Sequence, residues 1–118
     1  MLKSIPTLVN EIKENITVVT AQEALNMMKS ANGTLIDVRE PAEITHTAIE
    51  GAVNIPRGVL EMKIGGLCPQ ANQPIYIHCA SGVRAMFAAE QLQRIGYNNV
   101  KAITCAIKDI QAAAVAIN

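Results

Sequence analysis

Tryptophan is missing from this 118-residue chain, phenylalanine occurs once and tyrosine twice. A core cannot be built here from aromatic stacking. It has to come from Ile, Val, Leu, Met and Ala, and half of the residues are hydrophobic, which suffices for one packed interior. Charge of one sign is not in excess either: ten Lys and Arg balance ten Asp and Glu. That balance argues against a nucleic-acid footprint or an anionic membrane surface as partner, while leaving room for a local basic pocket. No run is long and apolar enough to cross a bilayer. The first residues, MLKSIPTLVNEIKENI, carry Pro6, Asn10, Glu11 and Glu14, so the continuous apolar core of a signal peptide is lacking. With Met1 in place no removed leader is expected, and the expected location is cytoplasmic.

Cysteine is scarce and odd in number: Cys68, Cys79 and Cys105, with no C-x-x-C. Neither a disulfide framework nor a thioredoxin-like redox pair is expected. His46 and His78 are the only histidines, so no zinc cluster is expected.

What is present is an alternation of strand and helix patterns. Ile5, Leu8, Val9 and Ile12 predict a helix from residue 4 to about 15, followed by a strand Thr17-Val18-Val19. Thr20-Ala21-Gln22-Glu23 has the form of a capping box and opens a second helix that Asn32-Gly33 ends. Thr34 to Val38 reads as a strand buried on both faces, Pro41 opens a short helix to about Thr45, and Gly51 to Pro56 contains a short strand. Val59 to Ile64 predicts a helix ending at Gly65-Gly66. Ile75 to His78 is a strand. In the following helix Ala85, Ala88, Ala89, Leu92 and Ile95 share one face, Glu90 and Arg94 are spaced to pair, and Gly96 is the stop. Asn99 to Ile103 is the last strand, and Ile107, Ile110, Ala114 and Ile117 mark a closing helix. This order predicts an α/β domain with a parallel sheet covered on both faces. Without a repeat or linker, one domain is expected: residues 16–118, with 1–15 as a helical extension packed on it.

The stretch IYIHCASGVRAMFAAEQLQ carries chemistry. Ligands of open parallel sheets bind beyond the carboxyl ends of strands, where Cys79 falls. The loop Ala80-Ser81-Gly82-Val83-Arg84 then feeds a helix N-terminus, which offers unsatisfied N–H groups and a positive dipole end. Gly82 allows a tight curl that aims N–H groups at the sulfur, and such a cradle favours thiolate over thiol. A cation is electrostatically disfavoured at a helix start, so Arg84 there points to an anion, although pairing with a surface carboxylate is the plainer reading. The loop reads as a nucleophile in an anion-binding nest.

Two segments, LIDVREPAEITHTAIEGAVNIPRGVLEMKI and PIYIHCASGVRAMFAAEQLQRIGYNNVKAI, together resemble the rhodanese family of single-domain sulfurtransferases. The resemblance implies a rhodanese-like three-layer fold, a five-stranded parallel sheet with helices on both faces. It implies that Cys79 takes sulfur from thiosulfate, polysulfide or a low-molecular-weight persulfide, holds it as a persulfide, and passes it to cyanide or a thiol. Loop N–H groups would stabilise the persulfide and Arg84 would bind the anionic donor. No metal or organic cofactor is implied, and a protein sulfur acceptor is compatible with it. The chain departs from the family's usual pattern at Thr47-Ala48, at Ile44 after Glu43, at Cys105-Ala106 and at Ile110, all expected to be packing or turn positions.

Other residues have plainer readings. Asp37 and Arg39 form a structural ion pair or network that supports the loop. His78 points away from Cys79 because neighbouring strand residues face opposite sides, and it is expected to be buried and hydrogen-bonded. His46 is expected on a solvated helix, and Ser81 serves either the sulfur or the turn. Cys68, in an expected loop, and Cys105 read as small hydrophobes, with a sulfur-relay role left open. Two further functions compete. Cysteine phosphatases or arsenate reductases of this fold use a loop one residue longer than the four residues between Cys79 and Arg84. Non-catalytic binding modules of the fold often lack the cysteine that is kept here.

Overall fold

The structure, a computed structural model, describes residues 1–117. The chain runs α1 (Ile5–Lys13), β1 (Thr17–Val19), α2 (Ala21–Ala31), β2 (Thr34–Asp37), β3 (Val53–Asn54), α3 (Leu60–Leu67), β4 (Ile75–His78), α4 (Val83–Ile95), β5 (Val100–Ile103) and α5 (Ile107–Ile117). Single 3-10 turns lie at Pro41–Ile44 and Arg57–Val59. The strands form one five-stranded parallel sheet in the order β1-β5-β4-β2-β3. The site-bearing β4 is its central strand, with Asp37 opposite His78 on β2 and Ile77 opposite Ala102 on β5.

Alternation along each strand sends side chains into two apolar layers, as parallel sheets covered on both sides require. Ile36, Val38, Ile75, Ile77, Val100 and Ala102 pack with α1, α3 and α4, and Cys79 lies in this layer. Val19, Leu35, Tyr76 and Ile103 pack with α2 and α5. Ala85, Ala88 and Ala89 are fully buried on α4, where their small side chains let the helix sit close to the sheet. Val9 and Ile12 of α1 join the same layer, and α1 packs against α4.

Local signals set most boundaries. The Thr20 hydroxyl accepts from Glu23 N–H and the Glu23 carboxylate accepts from Thr20 N–H, which is the expected capping box. Asn32 ends α2 in the left-handed conformation, and Gly96 ends α4 at φ +128°.

Four expectations are corrected. Helix α3 does not stop at Gly65-Gly66 but continues to Leu67, because Leu60, Ile64 and Cys68 are anchored in the core while both glycines face open space. Glycine weakens a helix by only about 1 kcal/mol relative to alanine, which such packing overrides. Cys68 is consequently a buried helix cap rather than a loop residue. Ile95 is half exposed, at the rim of the α4 stripe, and Glu90 and Arg94 form no ion pair among the described residues. The side chain of Ile117 lies outside the described residues.

Candidate active site

Cys79 follows the last residue of β4 and precedes the loop that becomes α4. Gly82 is the N-cap of α4, with φ +101° and ψ −19°, a conformation open to glycine and strained for other residues. That geometry turns the Gly82 N–H back onto Cys79 Sγ at 3.0 Å. It also brings the loop onto the chain beyond β5: a Cβ on Gly82 would stand 2.8 Å from the Thr104 Cα. Ile107 N–H donates to the Ala80 carbonyl, fastening the start of α5 to the same loop. The cysteine is buried at 1 % exposure, Ser81 is exposed, and Ala80 and Val83 are half-buried.

Arg84 stands in the first turn of α4, and the structure supplies a partner for it. Its Nη1 and Nη2 donate to the two carboxylate oxygens of Glu43 at 2.7 and 2.9 Å. Both side chains are a little over a third exposed. The Arg84 hydrogen bonds, with a further one from the Glu40 N–H, hold the Glu43 carboxyl down at about 2. Sequence reasoning missed Glu43, which lies 41 residues from its partner; the only local sign was its place three residues after Glu40, where it closes a capping box.

Asp37 and Arg39 form a buried pair beside the loop. Arg39 Nη2 lies 2.7 Å from Asp37 Oδ2, Arg39 Nε donates to both carboxylate oxygens, and the Arg39 N–H donates to Oδ1. The guanidinium also donates to the hydroxyl and carbonyl of Thr47, one of the positions that departs from the family pattern. The Asn54 amide donates to the carbonyls of Asp37 and Arg39. The network thus fixes the segment after β2, from which Glu43 reaches Arg84. Among the described residues neither Asp37 nor Arg39 hydrogen-bonds to residues 80–84, so their connection to the loop runs through that segment.

His78 is fully buried opposite Asp37, with Nε2 3.7 Å from Oδ2. Neither ring nitrogen has a hydrogen-bond partner among the described residues, which corrects the expectation of a hydrogen-bonded histidine. Burial pushes the imidazole below its ordinary value against the pull of Asp37, so it is neutral at pH 7. His46 is exposed in the turn after the 3-10 segment.

Cys105 is partly exposed and its Sγ accepts from the Ala21 N–H at the start of α2, on the layer opposite Cys79. Burial raises the Cys68 thiol above its ordinary value. Among the described residues no three His, Cys, Asp or Glu side chains converge as metal ligands, and no helix is long and apolar enough to cross a membrane.

The rhodanese-like domain profile matches residues 20–113, a span that includes every side chain of this site. The chain belongs to the rhodanese-like family. One relative, named a putative mitochondrial thiosulfate sulfurtransferase of Schizosaccharomyces pombe, is 31% identical over 104 residues, covering 75% of this chain and 73% of the relative. The thiosulfate sulfurtransferase PspE of Escherichia coli is 32% identical over 66 residues, 56% of this chain and 64% of that protein. Among solved structures, a Rhodopseudomonas palustris protein of unknown function, described as a possible tyrosine phosphatase, superposes with a TM-score of 0.80 at 26% identity, over 96% of this chain and 92% of its own. A rhodanese-like domain protein of Staphylococcus aureus superposes with a TM-score of 0.71 at 24% identity, over 80% of this chain and 91% of its own, so the rhodanese-like fold rests on sequence and structure together.

Proposed function

We propose that this rhodanese-like chain is a sulfurtransferase that carries sulfane sulfur as a persulfide on Cys79. The observation that supports it best is the Gly82 N–H aimed at Cys79 Sγ at 3.0 Å, at the carboxyl end of the central strand. The Cys79 thiolate attacks the outer sulfur of a donor. With thiosulfate, the donor's S–S bond breaks, sulfite leaves with the electron pair, and Cys79–S–S⁻ remains. Cyanide or a thiolate then takes the outer sulfur and the Cys79 thiolate is regenerated. Loop N–H groups stabilise the charge on the outer sulfur, the role of an anion nest. Burial of Cys79 restricts access to slender donors and shields the persulfide from competing reactions. Asp37 and Arg39 act as structural support for this loop. Polysulfide and low-molecular-weight persulfides are the other donor candidates, and a protein thiol can replace the small acceptor. We assign the protein to the cytoplasm, where thiols stay reduced.

Phosphoryl transfer is the weaker reading. The loop has only four residues between Cys79 and Arg84, and the Arg84 fork is filled by a carboxylate instead of standing open for a tetrahedral oxyanion. Intact-mass measurement tests the proposal. Reduced protein incubated with thiosulfate, polysulfide or glutathione persulfide is expected to gain one sulfur, lose it to cyanide, and gain none as Cys79→Ser. Absence of any gain with all three donors overturns it.

A further inference from the structure

Three arginines stand where the chain leaves the carboxyl ends of β2, β3 and β4, and each has a carboxylate partner. Arg39 is paired with Asp37 at 2.7 Å, Arg57 with Glu61 at 2.8 Å, and Arg84 with Glu43 at 2.7 Å. Lys108 is exposed in the first turn of α5, beside the Ile107 whose N–H bonds the Ala80 carbonyl, and is followed by Asp109. Arg84 is the single charged residue in the stretch Cys79 to Arg84, and both of its terminal nitrogens already donate to Glu43.

Glu43 has a second tether besides Arg84. Its Oε2 also accepts from the Glu40 N–H at 2.8 Å, closing the turn that carries it. An oxyanion that takes the Nη1–Nη2 edge of Arg84 must displace that carboxylate, and one that takes the other guanidinium N–H donors must lie beside its charge. Like charges forced together at a site reject a ligand as effectively as favourable contacts attract one.

From this arrangement we infer that Glu43 is a specificity-determining residue. It sets the donor class as a thiol persulfide, R–S–SH, whose reacting sulfur carries no oxyanion group, in preference to the thiosulfate dianion. The inference rests on the sulfurtransferase reading above. The step balances without a further reactant: the Cys79 thiolate attacks the terminal sulfur, the donor S–S bond breaks, R–S⁻ leaves with the electron pair, and Cys79 retains the persulfide, its proton passing to the leaving thiolate or to solvent.

The test compares second-order rate constants for sulfur uptake on Cys79, followed by quenched intact mass, with thiosulfate and with glutathione persulfide. Wild type is set against Glu43→Gln, which keeps an acceptor for the Glu40 N–H, and Glu43→Ala, each checked by thermal melting. The expected result is that wild type takes sulfur faster from glutathione persulfide, and that Glu43→Gln raises the thiosulfate rate constant about tenfold while changing the persulfide rate constant by less than about twofold. An equal fall with both donors would assign Glu43 to holding Arg84 in place and overturn the inference, as would an unchanged donor ratio in both variants. No uptake from either donor by wild type would overturn the sulfurtransferase reading itself, a result distinct from uptake with an unaltered preference.

Discussion

Replacing Gly82 with alanine separates two costs that the loop geometry combines. At φ +101° the backbone is one that a residue with a Cβ adopts at about 1–2 kcal/mol. The new methyl would also meet the Thr104 Cα at 2.8 Å and its carbonyl oxygen at 3.1 Å, both backbone atoms that no rotamer change can move. Pushing back a packed segment costs about 1–3 kcal/mol, so Gly82→Ala is expected to lose about 2–5 kcal/mol. Gly96→Ala is the control, since φ is +128° there but open space surrounds the added Cβ. It should lose only the backbone part, about 1–2 kcal/mol. Urea unfolding of the two variants and wild type, read by midpoint at constant m-value, gives both numbers. Sulfur uptake on Cys79 should fall in Gly82→Ala, because relief of the contact moves the Gly82 N–H off the sulfur. A Gly82→Ala variant within about 1 kcal/mol of wild type, or no less stable than Gly96→Ala, would refute the argument that the loop is locked against the β5–α5 connection.

Arg39→Ala leaves the Asp37 carboxylate buried without its guanidinium, and a loss of about 3–5 kcal/mol is expected in urea unfolding; a loss below about 1 kcal/mol would contradict the buried-pair assignment. His78 is held below its unfolded value by burial, so the stability this contributes is present above pH 6.5 and falls as pH drops through that value, by up to about 1.4 kcal/mol per pH unit from this one proton; His78→Leu should remove that component of the slope. Glu43, lowered to about 2 chiefly by its Arg84 hydrogen bonds, should keep its charge in the folded protein as pH falls past 4.5, and the stability it supplies is lost progressively as pH falls from 4.5 to about 2. A carbon-detected NMR titration of its carboxyl checks this, and Arg84→Ala should move the midpoint up toward 4.5.

The parts of this molecule that sequence reasoning reached are those whose cause is local. The Thr20–Glu23 capping box is formed within one helical turn, and the strands at Ile75–His78 and Val100–Ile103 are short apolar runs between turn residues. The position of Cys79 followed from its place just after such a strand. What escaped depends on distant chain segments. Glu43 meets Arg84 across 41 residues, and no spacing rule links them. Thr47 looked like a departure from a family pattern, yet it receives two hydrogen bonds from the buried Arg39 guanidinium. Gly65-Gly66 looked like a helix stop because local propensity was weighed without the buried Ile64 and Cys68 that carry α3 past them. His78 was correctly placed in the interior, but its lack of a hydrogen-bond partner is a property of its surroundings and not of its sequence neighbours.

The strand order has a consequence for how the chain is made. Val19 of β1 pairs with Ile103 of β5, and the sheet offers β1 no other neighbour. At a synthesis rate of about 5–20 residues per second, the 84 residues from Thr20 to Ile103 take about 4–17 s to add. Throughout that interval β1 and the inward face of α2 have no finished surface to join, while β2 and β3 can already pair. The N-terminal segment is thus translated early and docks late, so the contacts of β1 are among the long-range ones the fold closes last.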